Sequence, residues 1–192
     1  MYFGPKKLVR PTSLKLYEET NKYIIEPKID GIWAELTIGP NKLISKNGNY
    51  INTNLLDGIN TTHFPRKMHG IKLLCEVETE THWATINRKN RGYAILWIHT
   101  LVLDSNRLYK DVPYLENKKR LQELYNDINP ELRKKIYLMP YAENQFDQHY
   151  GEYKEEYCPE GCILKNKMVG LVGANSNGKS DNWLKVKDFP HT

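Results

Sequence analysis

From Tyr23 to Lys46 the chain alternates short runs rich in Ile, Tyr and Trp with compact turn signals, and this punctuation restricts the fold more than any other feature. Tyr23–Pro27 and Ile29–Ile38 read as consecutive strands, Gly39-Pro40-Asn41 supplies a turn, and Leu43–Lys46 returns as a third strand. Ser45-Lys46-Asn47-Gly48 is a second turn signal. The same pattern predicts strands over Ile71–Thr79, Tyr93–Leu103, Ile136–Tyr141, Gly161–Asn166 and Trp183–Lys187. Helices are fewer: short ones at Leu14–Glu19 and Thr53–Ile59, a polar one over Gln145–Glu156, and the clearest over Asp111–Ile128. In the last, Leu121, Leu124, Tyr125 and Ile128 recur at helical spacing behind Asp111 and Pro113. Many strands and few helices predict an α+β domain of antiparallel sheets with flanking helices, not a doubly wound one. The 192 residues suffice for one substantial domain, and no repeat or Gly/Ser linker divides them.

The formal net charge of +5 favours polyanionic partners such as nucleotides or nucleic acid. Cys75, Cys158 and Cys162 form neither a disulfide framework nor a zinc-ligand pattern, and they read as small buried thiols. No apolar run approaches membrane-spanning length and no signal-peptide core is present, so a reducing, cytoplasmic setting without a membrane partner is expected.

Chemistry concentrates where strands end. In Glu26-Pro-Lys28-Ile29-Asp30-Gly31, alternation along an extended chain directs Glu26, Lys28 and Asp30 to one side, and Gly31 admits a close backbone or phosphate. Lys185 and Lys187 share one face of the last strand while Leu184 and Val186 take the other; Lys165 ends Glu160-Gly-Cys-Ile-Leu-Lys165. Three such lysines near Lys28 suit a polyphosphate cradle. Glu76 and Glu78 share a face, with Val77 pointing away. Gly173 to Ser180 matches the phosphate-loop pattern letter for letter, but the residues that follow read as a strand, whereas that loop needs a helix there. The six histidines lack metal-ligand spacing.

Taken together, these segments resemble the covalent nucleotidyltransferases: ATP-dependent DNA ligases, RNA ligases and mRNA capping enzymes. Lys28-Ile29-Asp30-Gly31 resembles their K-x-D-G motif, Ser45–Gly48 their S-R-x-G turn, and Leu74-Cys75-Glu76 their D-G-E strand. Ala94–Ile98 is similar to the strand bearing an adenine-stacking aromatic, Glu160–Lys165 to E-G-h-h-h-K, and Trp183–Lys187 to W-x-K-x-K. Glu26, the Pro113–Leu121 segment and Gly178-Lys179-Ser180 ahead of Trp183 lean toward the DNA ligase branch, with RNA ligase or a catalytically silent binding module as alternatives.

The resemblance implies an ATP-grasp-like nucleotidyltransferase domain spanning 1–192, with no OB-fold domain, acting as a monomer on ATP and nicked double-stranded DNA. It implies Lys28 as nucleophile with Lys185 and Lys187 also catalytic. ATP would be held by Glu26, Lys28, Ile29, Lys46, Glu76, Trp97, Lys165, Lys185 and Lys187, and Mg²⁺, or Mn²⁺, by Asp30, Glu76 and Glu160. A lysine free in water is only about 0.04% neutral at pH 7, so a nucleophilic one needs burial and cationic neighbours. Three positions depart from the family pattern: Trp33 stands where an arginine is expected, Lys46 replaces another arginine, and Ile98 follows the stacking aromatic in place of aspartate.

Overall fold

The computed structural model describes residues 4–51, 64–79, 94–157, 160–171 and 179–188. The described chain builds two compact units from interleaved segments: one of Asp30–Lys110 and Glu116–Leu138, the other of Phe3–Ile29, Asp111–Leu115 and Met139–Thr192. The helix expected at Thr53–Ile59 and residues Cys158, His63, His82 and His191 lie outside the described residues.

The second unit holds a four-stranded sheet in the order β1 (Gly4–Val9), β10 (Lys179–Val186), β9 (Cys162–Asn166), β2 (Tyr23–Pro27). β10 pairs antiparallel with β9 and β9 with β2, whereas β1 joins β10 in parallel. β1 is absent from the sequence reading because Pro5 and the adjoining lysines carry no strand alternation. On a sheet edge a proline costs no ladder hydrogen bond that the sheet needs. One face of this sheet is apolar. Ile25, Leu164 and Leu184 stand opposite one another, as do Cys162 and Val186. Together with Val9 they form a core with Leu14 of α1 (Leu14–Glu19) and Phe146 and Tyr153 of α3 (Phe146–Glu156). Glu18 of α1 accepts hydrogen bonds from the Gln145 and Phe146 amides at 2.7 and 3.1 Å, satisfying donors at the start of α3.

The first unit holds β4 (Lys42–Ser45), β3 (Ile32–Thr37), β5 (Lys72–Thr79), β6 (Ala94–Asp104) and β7 (Arg107–Leu108) in that order, with β8 (Ile136–Leu138) parallel to β6. Its inward rows, Ile32–Val77–Leu96–Ile136 and Ala34–Cys75–Ile98–Leu138, are buried except at their half-buried ends, Ile32 and Leu138. The helix α2 (Tyr114–Asn126) buries Asn117, Lys118, Leu121 and Leu124, a stripe at helical spacing. The Asn117 amide accepts from the Leu101 N–H at 2.8 Å and donates to the Leu101 carbonyl at 2.7 Å, pairing backbone groups where the β5–β6 register slips.

Several boundaries differ from the sequence reading for local reasons. The expected helix to Ile128 stops at Asn126 because Asp127 and Ile128 donate to carbonyls only three residues back, tightening the last turn. β8 stops at Leu138, two residues before Pro140, which has no N–H to give. β10 begins at Lys179 rather than Trp183, so Lys179-Ser180 opens a strand and the phosphate-loop match has no helix to serve it.

Gly161 sits between β2 and β10 with φ +115°, and a Cβ there would lie 2.0 Å from the Val186 carbonyl oxygen. Its own carbonyl accepts the Lys28 N–H at 2.9 Å. Gly161→Ala is expected to lower stability by at least about 2–3 kcal/mol, through left-handed strain and a backbone clash that cannot relax independently. Urea unfolding of the two proteins measures it.

Candidate functional site

In a sheet, residues opposite one another across neighbouring strands share a face. On the face of the second unit's sheet away from α1 and α3, one row is therefore Ile24–Lys165–Trp183 and the next Glu26–Ile163–Lys185–Leu8. Beyond them Lys28 follows β2 and Lys187 follows β10, on either side of Gly161. Burial falls along this direction: Ile24, Lys165 and Trp183 are closed off, Ile163, Lys185, Lys28 and Lys187 are half-buried, and Leu8 is exposed.

The open end carries a compact charge cluster. Glu160 Oε2 is shared by two ammoniums, accepting from Lys28 Nζ in a short hydrogen-bonded ion pair and from Lys187 Nζ at 3.2 Å. Burial pushes the Glu160 carboxyl up, but the hydrogen bonds and charges of Lys28 and Lys187 outweigh it and hold the group below the ordinary carboxylate range. Lys185 moves down: burial disfavours its charge, and Lys28, Lys179 and Lys187 repel it, with Glu160 opposing them. One carboxylate among Lys28, Lys185 and Lys187 leaves the cluster net positive, the electrostatics of a phosphate site.

At the closed end Lys165 and Glu26 form an ion pair at 2.6 Å, each side chain only 2% exposed. The Tyr114 hydroxyl accepts from Lys165 Nζ at 2.9 Å and donates to Glu26 Oε1 at 3.1 Å. Lys165 Nζ also lies 4.0 Å from the Trp183 ring centroid and 4.9 Å from that of Tyr114, and these two rings meet edge to face. The three-lysine cradle is thus divided. Lys185 and Lys187 join Lys28, while Lys165 is buried with Glu26 one row away. Tyr114 and the cation-capping role of Trp183 were not foreseen. The β9–β10 register sets Trp183 opposite Lys165, whereas Tyr114 comes from the start of α2 and only tertiary contact reveals it.

In the first unit, Gly31 lies where a Cβ would come within 2.7 Å of the Val77 carbonyl oxygen, the close backbone approach its type permits. Glu76 stands opposite Trp33 on one side and Trp97 on the other. Trp97 donates its indole N–H to Glu78 at 2.6 Å and packs against Tyr137, ring centroids 5.0 Å apart. Asp30 is half-buried beside Gly31, and Lys46 is exposed at the turn after β4, where Gly48 takes φ +79°. Cys75 and Cys162 are buried thiols, and burial pushes the Cys75 thiol well up, the state of an inert core residue.

Among the described residues no three His, Cys, Asp or Glu side chains gather into a group able to hold a metal ion. Glu160 is already neutralised by two lysines, so the cluster around it suits phosphate oxygens and not a bare divalent cation. Asp30 and Glu76 are half-buried oxygen donors of the type Mg²⁺ takes alongside substrate phosphates. No helix among the described residues is long and apolar enough to cross a membrane.

No protein-family model matches the chain, and no curated protein matches it. Solved structures do. The ligase domain of LigD from M. tuberculosis aligns with 97% of this chain at TM-score 0.72 and 15% identity, and the match spans 59% of that chain. A mycobacterial DNA ligase D complexed with ATP and MES aligns with 97% at TM-score 0.67 and 16% identity, over 60% of its length. The Chlorella virus DNA ligase–adenylate aligns with 98% at TM-score 0.63 and 18% identity, over 70% of its length. The chain therefore has the α+β fold of the nucleotidyltransferase domain of ATP-dependent DNA ligases, and it spans about 60% of the first of these ligases' own length.

Two outcomes follow from the charge clusters. Lys165→Met strands the buried Glu26 carboxylate and is expected to cost about 3–5 kcal/mol, most of it recovered when Glu26→Gln is added; a urea-unfolding double-mutant cycle reads this. The depressed Glu160 group stabilises the fold at pH values above its unfolded titration near 4.5, and that contribution is lost as pH falls through the folded value. The urea midpoint of Glu160→Gln should accordingly fall less steeply than that of the wild type as pH drops below about 4.5.

Proposed function

We propose that the chain is the adenylation domain of an ATP-dependent DNA ligase: it transfers AMP from ATP to Lys28, passes it to the 5′-phosphate of a nick, and seals the nick with the 3′-hydroxyl. The observation that carries this reading is the net-positive cluster of Lys28, Lys185 and Lys187 around Glu160. It stands at the open end of a sheet whose fold is shared with DNA ligases, one of them complexed with ATP and another an adenylate.

In the first step the lone pair of Lys28 Nζ forms a bond to the α-phosphorus while the bond to the bridging oxygen of pyrophosphate breaks. One ammonium proton is lost to solvent beforehand, and a second passes from the nitrogen to solvent as the phosphoramidate forms. Glu160, held ionised and low in pKa, is a weak base; its part is to orient the Lys28 amine. Lys185 and Lys187 offer positive charge to the phosphate oxygens as charge develops there. Because burial and like charge already weigh against the Lys185 ammonium, an arriving polyphosphate relieves repulsion instead of competing with a tight partner. Trp97 stacks the base and Ile29, Lys46 and Glu76 complete the ATP site, while the buried Glu26–Lys165 pair fixes the strand register behind it; Asp30 and Glu76 would be the carboxylates for Mg²⁺ or Mn²⁺, Glu160 being held by Lys28 and Lys187. Such an ion would supply neutralisation of phosphate charge when bound with the nucleotide. The second and third steps add nicked duplex DNA as partner, its affinity falling with salt.

Intact mass after pyrophosphate stripping and incubation with ATP and Mg²⁺ tests the first step. The wild type should gain one AMP and Lys28→Ala none. Nicked DNA and nicked RNA substrates then separate the polynucleotide classes. An unmodified wild type, with either ATP or GTP, would sink the reading.

A further inference from the structure

Four neighbouring strands of the first unit, β3, β5, β6 and β8, each contribute one residue to a single row: Trp33, Glu76, Trp97 and Tyr137. All four are half-buried, whereas the rows on the opposite face of the same strands are apolar and buried but for Ile32 and Leu138. The adjoining row on the same face, Glu35–Leu74–Thr100, is buried, so this face becomes accessible from the Trp33 row onward. Its members are three flat aromatic rings and one carboxylate. Trp97 is held from two directions, by its hydrogen bond to Glu78 at 2.6 Å and by Tyr137, whose ring lies at 32° to it with centroids 5.0 Å apart. Tyr137 sits on the β8 side of Trp97, and Glu76 and Trp33 follow in order on its other side.

Strands lie about 4.8 Å apart, so the backbones of Trp33 and Trp97 are separated by about 10 Å with Glu76 between them. One planar ring stacked between two others needs about 7–8 Å, the sum of two carbon–carbon contact distances. Side chains rising from alternate strands can close that difference by leaning. Glu76 at the floor accepts hydrogen bonds and donates none, so it selects a hydroxyl or an amine. We infer that Trp33 is the second wall of a slot for the nucleoside, a specificity-determining residue that stacks on the base or sugar opposite Trp97 with Glu76 beneath. This rests on the nucleotide reading above and deepens it. At position 33, where the resemblance expects an arginine, stacking takes the place of a charged contact, so the grip on the nucleoside is insensitive to salt.

The test measures binding of adenosine, ATP and inorganic tripolyphosphate to the wild type, Trp33→Phe and Trp33→Leu, at low and high salt, with circular dichroism to establish that each variant is folded. Phenylalanine keeps a flat face; leucine keeps apolar bulk without one. The expected result is a loss of about 5- to 150-fold in adenosine and ATP affinity for the leucine variant, with phenylalanine near the wild type. Tripolyphosphate binding should be unchanged in both, and adenosine binding unchanged by salt. Equal adenosine affinity in all three proteins, or an equal loss in both variants, overturns the slot. Adenosine carries no phosphate, so its binding reports on the slot without the covalent step. A Lys28 adduct with unaltered adenosine affinity in the leucine variant defeats this inference alone, and adenosine binding that depends on Trp33 in a protein forming no adduct defeats the ligase reading alone.

Discussion

The Lys165–Glu26 ion pair is the constraint on which the second unit's sheet depends. Two charges with side chains 2% exposed would each cost several kcal/mol to bury alone. They are tolerable because each finds the other at 2.6 Å, the Tyr114 hydroxyl bridges them, and the Trp183 ring faces the ammonium. That closure fixes β9 against both of its neighbours: Lys165 stands opposite Ile24 of β2 and Trp183 of β10. A one-residue slip would turn the lysine into the apolar core of Ile25, Leu164 and Leu184 and leave Glu26 unpaired. Register in this sheet is thus set by electrostatics on one face and by packing on the other. Both demands are met only when Lys28 and Lys187 emerge on either side of Gly161.

From that register the chemistry of the open end follows with little freedom. Gly161 is required by its left-handed backbone and by the Val186 carbonyl against it, and the absence of a side chain there lets Lys28 and Lys187 converge on Glu160. The result is a site in which positive charge is in excess and one lysine is already uncomfortable with its own charge. Such a site gains most from a polyanion. The buried pair gains nothing from one, since its charges already cancel.

Much of this was legible in the sequence because it rests on short-range rules. Alternation along strands assigned Val186 and Leu184 to the core and Lys185 and Lys187 to the other face; the same rule separated Val77 from Glu76 and Glu78. The Leu121–Leu124–Ile128 spacing gave the helix. Turn residues gave the β3–β4 hairpin. What was not legible depends on which strands pair. β1 is a parallel edge strand whose partner lies some 175 residues away, and nothing in Gly4–Val9 announces it. The division of the lysines was equally hidden: Lys165, Lys185 and Lys187 look alike as letters, and only the β9–β10 register puts the first beside Trp183 and the others at the open end.

The low identity to the solved ligases, 15–18% for the three described, has a physical reading. In this chain the fold constrains few positions strictly: a glycine where backbones meet and a charge pair that must be complete or absent. Elsewhere volume and polarity suffice, and sequence can drift while the sheets keep their register. Trp33 is the informative exception. It lies in a half-buried row, opposite Glu76, at the edge of the buried part of that face. A large aromatic there keeps a flat face at the accessible edge, and the nucleoside slot inferred above is the use that its shape allows.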